Sequence, residues 1–354
     1  MTTLTTSRPS IPAGLSQRRS IGRAIQTTWI QHRAALISFA GIFAALVIAI
    51  VVCQIYTHGS YASYVNHGCV ARPINHVPCG DLDNTLQNMN DVFNGLLIVL
   101  GVLPILVGAF VGAPLLSNEF ESGTFRFTWT QGMGRTRYFL TTFAVLAVFF
   151  TIITLVIGIL FGNWYAHPFE VTGADSHWQG GLFDTTGWML AAWSLFALAC
   201  GSFLGAITKR TVSAIAATAF VVAGLVGAAY EVLPHLLKFW TLSSSKISAS
   251  GLNYGSLSGG QLVGGLNGSW AVGGYLTGPK GHVLNSVSAN TIFDRAMNRG
   301  SVGAARWLSN HHYTLWATYQ PSSHFWVFQS VEVVVVLGLA ALLILGTVRR
   351  IGRS

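Results

Sequence analysis

A chain of 354 residues in which 51% of side chains are apolar and 9% charged cannot cover a water-facing surface of its size, which excludes an ordinary soluble protein. Its 20 Lys and Arg outnumber its 11 Asp and Glu, but they lie in short clusters beside long apolar runs, not along one stripe. That pattern sets nucleic acid aside as a partner and reads as membrane orientation.

The basic lead comes first, residues 1–33. Ile21, Ile25 and Trp29 recur every four residues among Arg18, Arg19, Arg23 and Gln26, a spacing open to a helix in the headgroup layer or to a flexible lead-in. A bilayer core needs about 20 apolar helical residues to cross it. Five runs qualify without any charge: Ala34 to Tyr56, Val92 to Leu116, Tyr138 to Phe161, Gly187 to Ile207 and Val212 to Tyr230. A sixth, Phe325 to Val348, is interrupted only by Glu332. In lipid the backbone must satisfy itself, so these runs are predicted helices. The first starts late and lacks a small-x-small cleavage site, which makes it a retained span and not a signal peptide.

The expected fold is therefore an all-α polytopic membrane protein of six transmembrane helices. Residues 34–237 hold spans one to five with an internal loop at 117–137, residues 238–324 form one large loop region, and residues 325–354 hold the last span and a basic tail. Arg8, Arg18, Arg19, Arg23, Arg33, Arg126, Arg135, Arg137, Lys209, Arg210, Arg349, Arg350 and Arg353 all fall on the side of the two termini. Positive charge is retained in the cytoplasm, so both termini are expected there, with the 238–324 region extracellular.

Cys69 and Cys79 share one short outer loop. In an oxidising compartment they are a candidate disulfide, free thiols being the alternative. Ten of the eleven histidines also fall on the outer side, but without HExxH or comparable ligand spacing they read as solvated loop residues. The 238–324 region is rich in Gly, Ser and Asn, with a short helix expected within Thr291 to Leu308. A phosphate-cradling loop is absent, and Gly278-Pro279-Lys280, the nearest stretch, reads as a turn. No metal site and no catalytic residue is expected. Charge in or beside the spans is expected only at Glu231, near Pro234, and at Glu332. Each carboxylate either contacts substrate or a neighbouring helix, or snorkels or is protonated at the headgroup level.

The inner loop Asn118 to Arg137 is long enough to dock a partner, with acids first, aromatics in the middle and arginines last. Aromatic and Arg anchors favour an interface, whereas a plain connector would need only its arginines for orientation.

Gly112-Ala113-Pro114-Leu115, Glu119, Glu121, Gly123-Thr124, Arg126, Trp129-Thr130-Gln131 and Arg135-x-Arg137 resemble bacterial ABC transporter permeases of the six-helix, two-component exporter class. Tyr319-Gln320-Pro321 and Phe325-Trp326-x-Phe328-Gln329-x-x-Glu332 are similar to the same group. Tyr138 and Thr141 or Thr142 stand where many relatives carry Trp and Lys.

The resemblance implies a permease of the bacterial cell membrane, not itself an enzyme, paired as a homodimer or heterodimer. It implies a separate cytosolic ATPase that binds the ATP and Mg and drives an amphipathic substrate outward. It also makes Glu119, Glu121 and Arg126 candidates for coupling to that ATPase, and the docking reading of the loop adds Phe125, Trp129, Arg135 and Arg137. A secondary transporter or channel, or a sensor or scaffold displaying the last outer loop, is the alternative. The first lacks the acids or lysines inside the spans that ion relays need.

The charge asymmetry yields a topological prediction. Single cysteines replacing Ser245 and Ser286 should react with an impermeant thiol reagent in intact cells, and one replacing Ser122 should not. Labelling at Ser122 alone, or at all three, would overturn the orientation.

Overall fold

The computed structural model describes residues 13–69, 77–121, 134–165, 180–237, 243–246, 270–298, 306–320 and 322–353. Six segments are long and apolar enough to cross a membrane: Leu36–Asn66, Cys79–Glu121, Thr136–Trp164, Met189–Thr208, Thr211–Ala229 and Phe325–Arg353. Helix α1 (Ala13–Asn66) is unbroken, so the lead from residue 13 onward continues directly into the first span. Cys69, just beyond its end, is disulfide-bonded to Cys79 near the start of α2 (Val77–Val107), with Cα atoms 5.5 Å apart. Closing so short a loop is worth about 3 kcal/mol in the chain-entropy account.

The second span is not a plain α-helix. Pro104 lacks the N–H that would bond one turn back, and the chain passes through a π-helical turn, Gly108–Gly112, before α3 (Pro114–Glu121) resumes. The Ala113 N–H donates to the Gly108 carbonyl at 2.8 Å to close that turn. Pro114 opens α3, where a missing N–H costs nothing.

Helix α4 (Arg135–Tyr165) is followed by a short helix, α5 (Gly180–Thr185), a turn, and α6 (Met189–Thr208). Gly187, read from sequence as the first residue of the fourth span, instead lies in that turn with φ of +60°. Its N–H donates to Gly158 of α4 at 3.0 Å.

Helix α6 is buried along nearly its whole length and forms the centre of the bundle. Around it pack α2, the π turn, α3, α4, α7 (Thr211–Leu237) and α9 (Phe325–Arg353), the last of these defined by its long apolar run. Among the outer helices, α1, α7 and α9 expose Ile37, Ile48, Ile55, Val212, Phe220, Val334 and Leu342, the side chains that lipid would cover.

Two pairs of glycines set the closest helix contact. A Cβ on Gly108 would stand 2.6 Å from the Ala197 carbonyl oxygen, and one on Gly112 2.6 Å from that of Leu198. Reciprocally, a Cβ on Gly201 would strike the Gly108 carbonyl oxygen, and one on Gly205 would lie 2.5 Å from that of Ala113. Each helix thus offers small residues four apart, one turn of a face, and the backbones meet there. Without a hydrophobic drive between helices in lipid, such close packing is what holds them.

Aromatic rings fill the wider gaps. Phe150 of α4 makes edge contacts with Phe39 and Phe43 of α1 at 5.4 and 6.0 Å, and Phe161 stacks on Phe93 at 4.4 Å. The buried Trp164 indole donates to Thr57 Oγ1 at 3.0 Å.

The bundle is all-α as expected, but the region between α7 and α9 adds a three-stranded antiparallel sheet that composition did not reveal. Strands β1 (Ser243–Lys246), β2 (Trp270–Thr277) and β3 (Thr314–Gln320) are ordered β1-β3-β2. Gly278 to Gly281 forms the turn foreseen there, closed by the Gly281 N–H to the Gly278 carbonyl at 2.9 Å. Helix α8 (Ser286–Met297) starts earlier than the stretch expected, because the Asn285 side chain caps it by accepting from the Ser288 N–H at 2.9 Å. A separate helical turn occupies 306–310.

Gly201→Ala should lower the midpoint of thermal unfolding in detergent by several degrees, since overpacking of this kind costs about 1–3 kcal/mol. Gly224→Ala, where a Cβ meets no atom within 4 Å, should leave it unchanged. Equal responses would show that the glycine crossing does not limit stability.

Candidate functional site

At the end of the bundle bearing the 122–133 loop, α3 grips the turn between α6 and α7. Lys209 closes α6 in a left-handed conformation, φ of +56°, its N–H donating to the Gly205 carbonyl at 3.1 Å. Two residues later α7 begins with its first N–H groups unpaired. Glu121 supplies the missing acceptor from another helix: the Thr211 N–H donates to Glu121 Oε2 at 2.8 Å. A carboxylate there also meets the positive end of the α7 dipole.

Ser117 adds a weaker contact to Thr211 Oγ1 at 3.4 Å while donating to the Ala113 carbonyl at 2.8 Å. The Lys209 ammonium lies 5.9 Å from the Phe120 ring centre. Glu119 turns the other way, toward α4, where the Tyr138 hydroxyl bonds its carboxylate while Oε2 is buried without a partner.

Of the coupling candidates, Glu119 and Glu121 therefore engage this chain's own helices and do not project as free charges. Arg137 is exposed on the first turn of α4, beside an open groove lined by Thr136, Leu140, Thr141, Ala144, Val145 and Val148. Phe125, Arg126 and Trp129 lie outside the described residues, as does the Arg135 side chain.

A second polar cluster sits near the opposite end, where α5 and its turn pack against α6 and α9. The Gln329 amide donates from Nε2 to the Phe183 and Thr186 carbonyls at 3.1 and 3.0 Å. This contact needs Gly187, because a Cβ there would stand 2.9 Å from Gln329 Oε1. Asp184 and Glu332 are both buried beside it, and Asp184 Oδ1, Trp193 Nε1, Gln329 Oε1 and Glu332 Oε2 have no hydrogen-bond partner. The Trp193 indole faces Asp184 without completing a well-aligned bond. Burial first, and then the negative charge of Glu332, raise the Asp184 carboxyl well above the usual carboxylate range.

Trp188 and Trp326 are exposed and pack edge to face at 5.8 Å, a pairing suited to the headgroup level. Glu332 lies six residues further along α9, about 9 Å deeper.

A family model for ABC-2 membrane transporter related proteins matches residues 40–233, more than half of the chain. The chain belongs to that family. Comparison with curated proteins and with solved structures finds no match. As an ABC-2 permease it is a multi-pass membrane component of an ABC transporter, of a kind that is not itself catalytic and partners an ATP-binding cassette subunit.

The matched region of this permease contains the α3 clamp, the glycine crossing and Asp184. Sequence reasoning missed Asp184, which precedes the fourth apolar run and reads as loop. Its signal was a carboxylate three residues before an uncharged span. It also left open a snorkelling Glu332. The carboxylate instead faces the bundle, since α9 turns Phe325, Phe328, Gln329, Glu332 and Val336 inward on one face. The Glu231 side chain lies outside the described residues.

Glu121→Ala should destabilise the permease through loss of the α7 cap, and Glu121→Gln, which keeps an acceptor, should do so by less. Glu121→Arg should be the worst of the three, because it places a cation at a helix N-terminus. Thermal unfolding in detergent ranks them, and an unchanged midpoint for Glu121→Arg would remove the capping role.

Proposed function

We propose that this ABC-2 permease is the membrane subunit of a two-component exporter in a bacterial plasma membrane. A separate cytosolic ATPase binds ATP and Mg and drives an amphipathic substrate outward. In this reading both termini and the 122–133 loop face the cytoplasm, and the disulfide and the β-sheet face the exterior, where oxidation is favoured. The permease acts as a dimer, of identical or related chains.

The observation that supports coupling at the loop is the clamp. The 122–133 segment leaves directly from Glu121, and Glu121 and Ser117 hold Thr211 at the start of α7. A push on the loop is therefore delivered to the turn between the central helix and α7. Phe125, Arg126, Trp129, Arg135 and Arg137 supply the aromatic and guanidinium groups that anchor interfaces. Glu119 and Glu121 act behind them, transmitting the movement inward.

This division of roles is testable with the permease co-purified with the ATPase encoded beside it. Trp129→Ala or Arg126→Ala should weaken assembly, typically tenfold or more for a buried anchor, since such truncations cost about 2 kcal/mol. Glu121→Ala should leave assembly intact while ATP hydrolysis no longer responds to transport. A variant carrying Glu121→Arg and Trp129→Ala that still binds the ATPase and exports normally would reduce the loop to a connector.

A further inference from the structure

The cluster at Asp184 has no place in the coupling reading. Asp184, Trp193, Gln329 and Glu332 are 8%, 6%, 0% and 9% exposed, and each retains a polar atom with no hydrogen-bond partner. One such atom in a protein interior is uncommon; the Trp193 N–H faces Asp184, which leaves a group of acceptors for an occupant to answer. The acceptors are Asp184 Oδ1, Gln329 Oε1 and Glu332 Oε2, all of them oxygens. The Gln329 orientation is fixed, because its amide nitrogen is committed to two carbonyls and leaves the oxygen free.

Charge points the same way. Two carboxyl groups that feel one another in a low-dielectric interior are neutralised by protons or by a bound cation, and the charge acting on Asp184 is that of Glu332. The basic residues of α6 and its turn, Lys209 and Arg210, lie at the far end, about 24 Å along the axis from Trp193. Helix α4 has no charged residue beyond Arg137, and α2 brings only the acids Asp81, Asp83 and Asp91. Helix α7 carries Glu231 and His235 near its end, and His324, two turns before Glu332, packs against Phe328 at 6.1 Å.

We infer that Asp184, Gln329 and Glu332 form a buried binding site for one alkali-metal cation, with the Trp193 indole N–H turned to the Asp184 carboxylate. One shared proton would join the two carboxylates yet leave the Gln329 oxygen unpaired, and a proton on each is the competing state that the pH arm of the test reads. Water would supply hydrogen bonds but no charge. A divalent ion would need both carboxylates ionised, while burial holds Asp184 toward its neutral form; one monovalent cation needs only one of them charged. A small monovalent cation meets both needs. The inference is independent of the transport reading, because the site lies within one chain and requires neither ATPase nor substrate.

The test uses the purified full-length permease in detergent at constant ionic strength, with N-methyl-D-glucamine chloride replaced stepwise by lithium, sodium or potassium chloride. Thermal unfolding of the wild type should rise saturably by several degrees with at least one of the three. Binding of radioactive sodium or rubidium should reach one per chain. Glu332→Gln and Gln329→Leu should each remove the rise and lower bound label at least tenfold, and either serves if Asp184→Asn does not fold. A midpoint that follows pH alone with no bound label, a rise that survives both variants, or a rise with magnesium or calcium only would overturn the site.

Discussion

Backbone meets backbone where Gly108 and Gly112 cross Gly201 and Gly205, and there is no room for a single methyl group on either side. This contact places α6 at the centre, because a helix held so closely by the second span has its other faces left for α4, α7 and α9. The π turn belongs to the same constraint. By widening the helix after Pro104 it turns both glycines of the second span toward α6. Helices around this axis need only apolar faces of ordinary width, which the aromatic contacts among α1, α2 and α4 supply.

The two ends of α6 are finished in opposite ways. At the clamp end its backbone is closed by Lys209 and the following helix is capped by a carboxylate reaching across from α3, so a charge near the membrane surface does structural work. At the other end two carboxyl groups, an amide oxygen and an indole are buried without that completion. Satisfied polar groups stiffen a junction, and incomplete ones demand an occupant. The contrast separates a mechanical end from a binding end within one helix.

Much of this was legible in the sequence. Apolar runs of about 20 residues have no alternative to helix in lipid, so the six spans could be read directly, and the arginine-bearing loop announced itself by composition. The glycine crossing could not be read, since small residues four apart occur in many spans and only the partner face selects the pair that meets. Glu121 read as a candidate for coupling, and its role as an acceptor for α7 could not be read because it depends on Thr211, ninety residues away. Asp184 was hidden by its position in a connecting segment, and the sheet by the Gly, Ser and Asn content around it. Trp270–Thr277 and Thr314–Gln320 carry the β-branched and aromatic residues of strands, but their pairing crosses some forty residues.

The order β1-β3-β2 has a mechanical consequence. Helices α7 and α9 both lean on α6, yet among the described residues they scarcely touch each other. Strand β1 follows α7 after a few residues, and β3 leads into α9 through Pro321 and a single 3-10 turn, Ser322–His324. Since β1 and β3 pair directly, Ser243 opposite Tyr319 through Lys246 opposite Trp316, the sheet is a hasp across the ends of two helices otherwise free to part. Splaying of α7 from α9 at that end, once it exceeds the reach of the five residues between α7 and β1, has to carry the sheet along or part its four residue pairs.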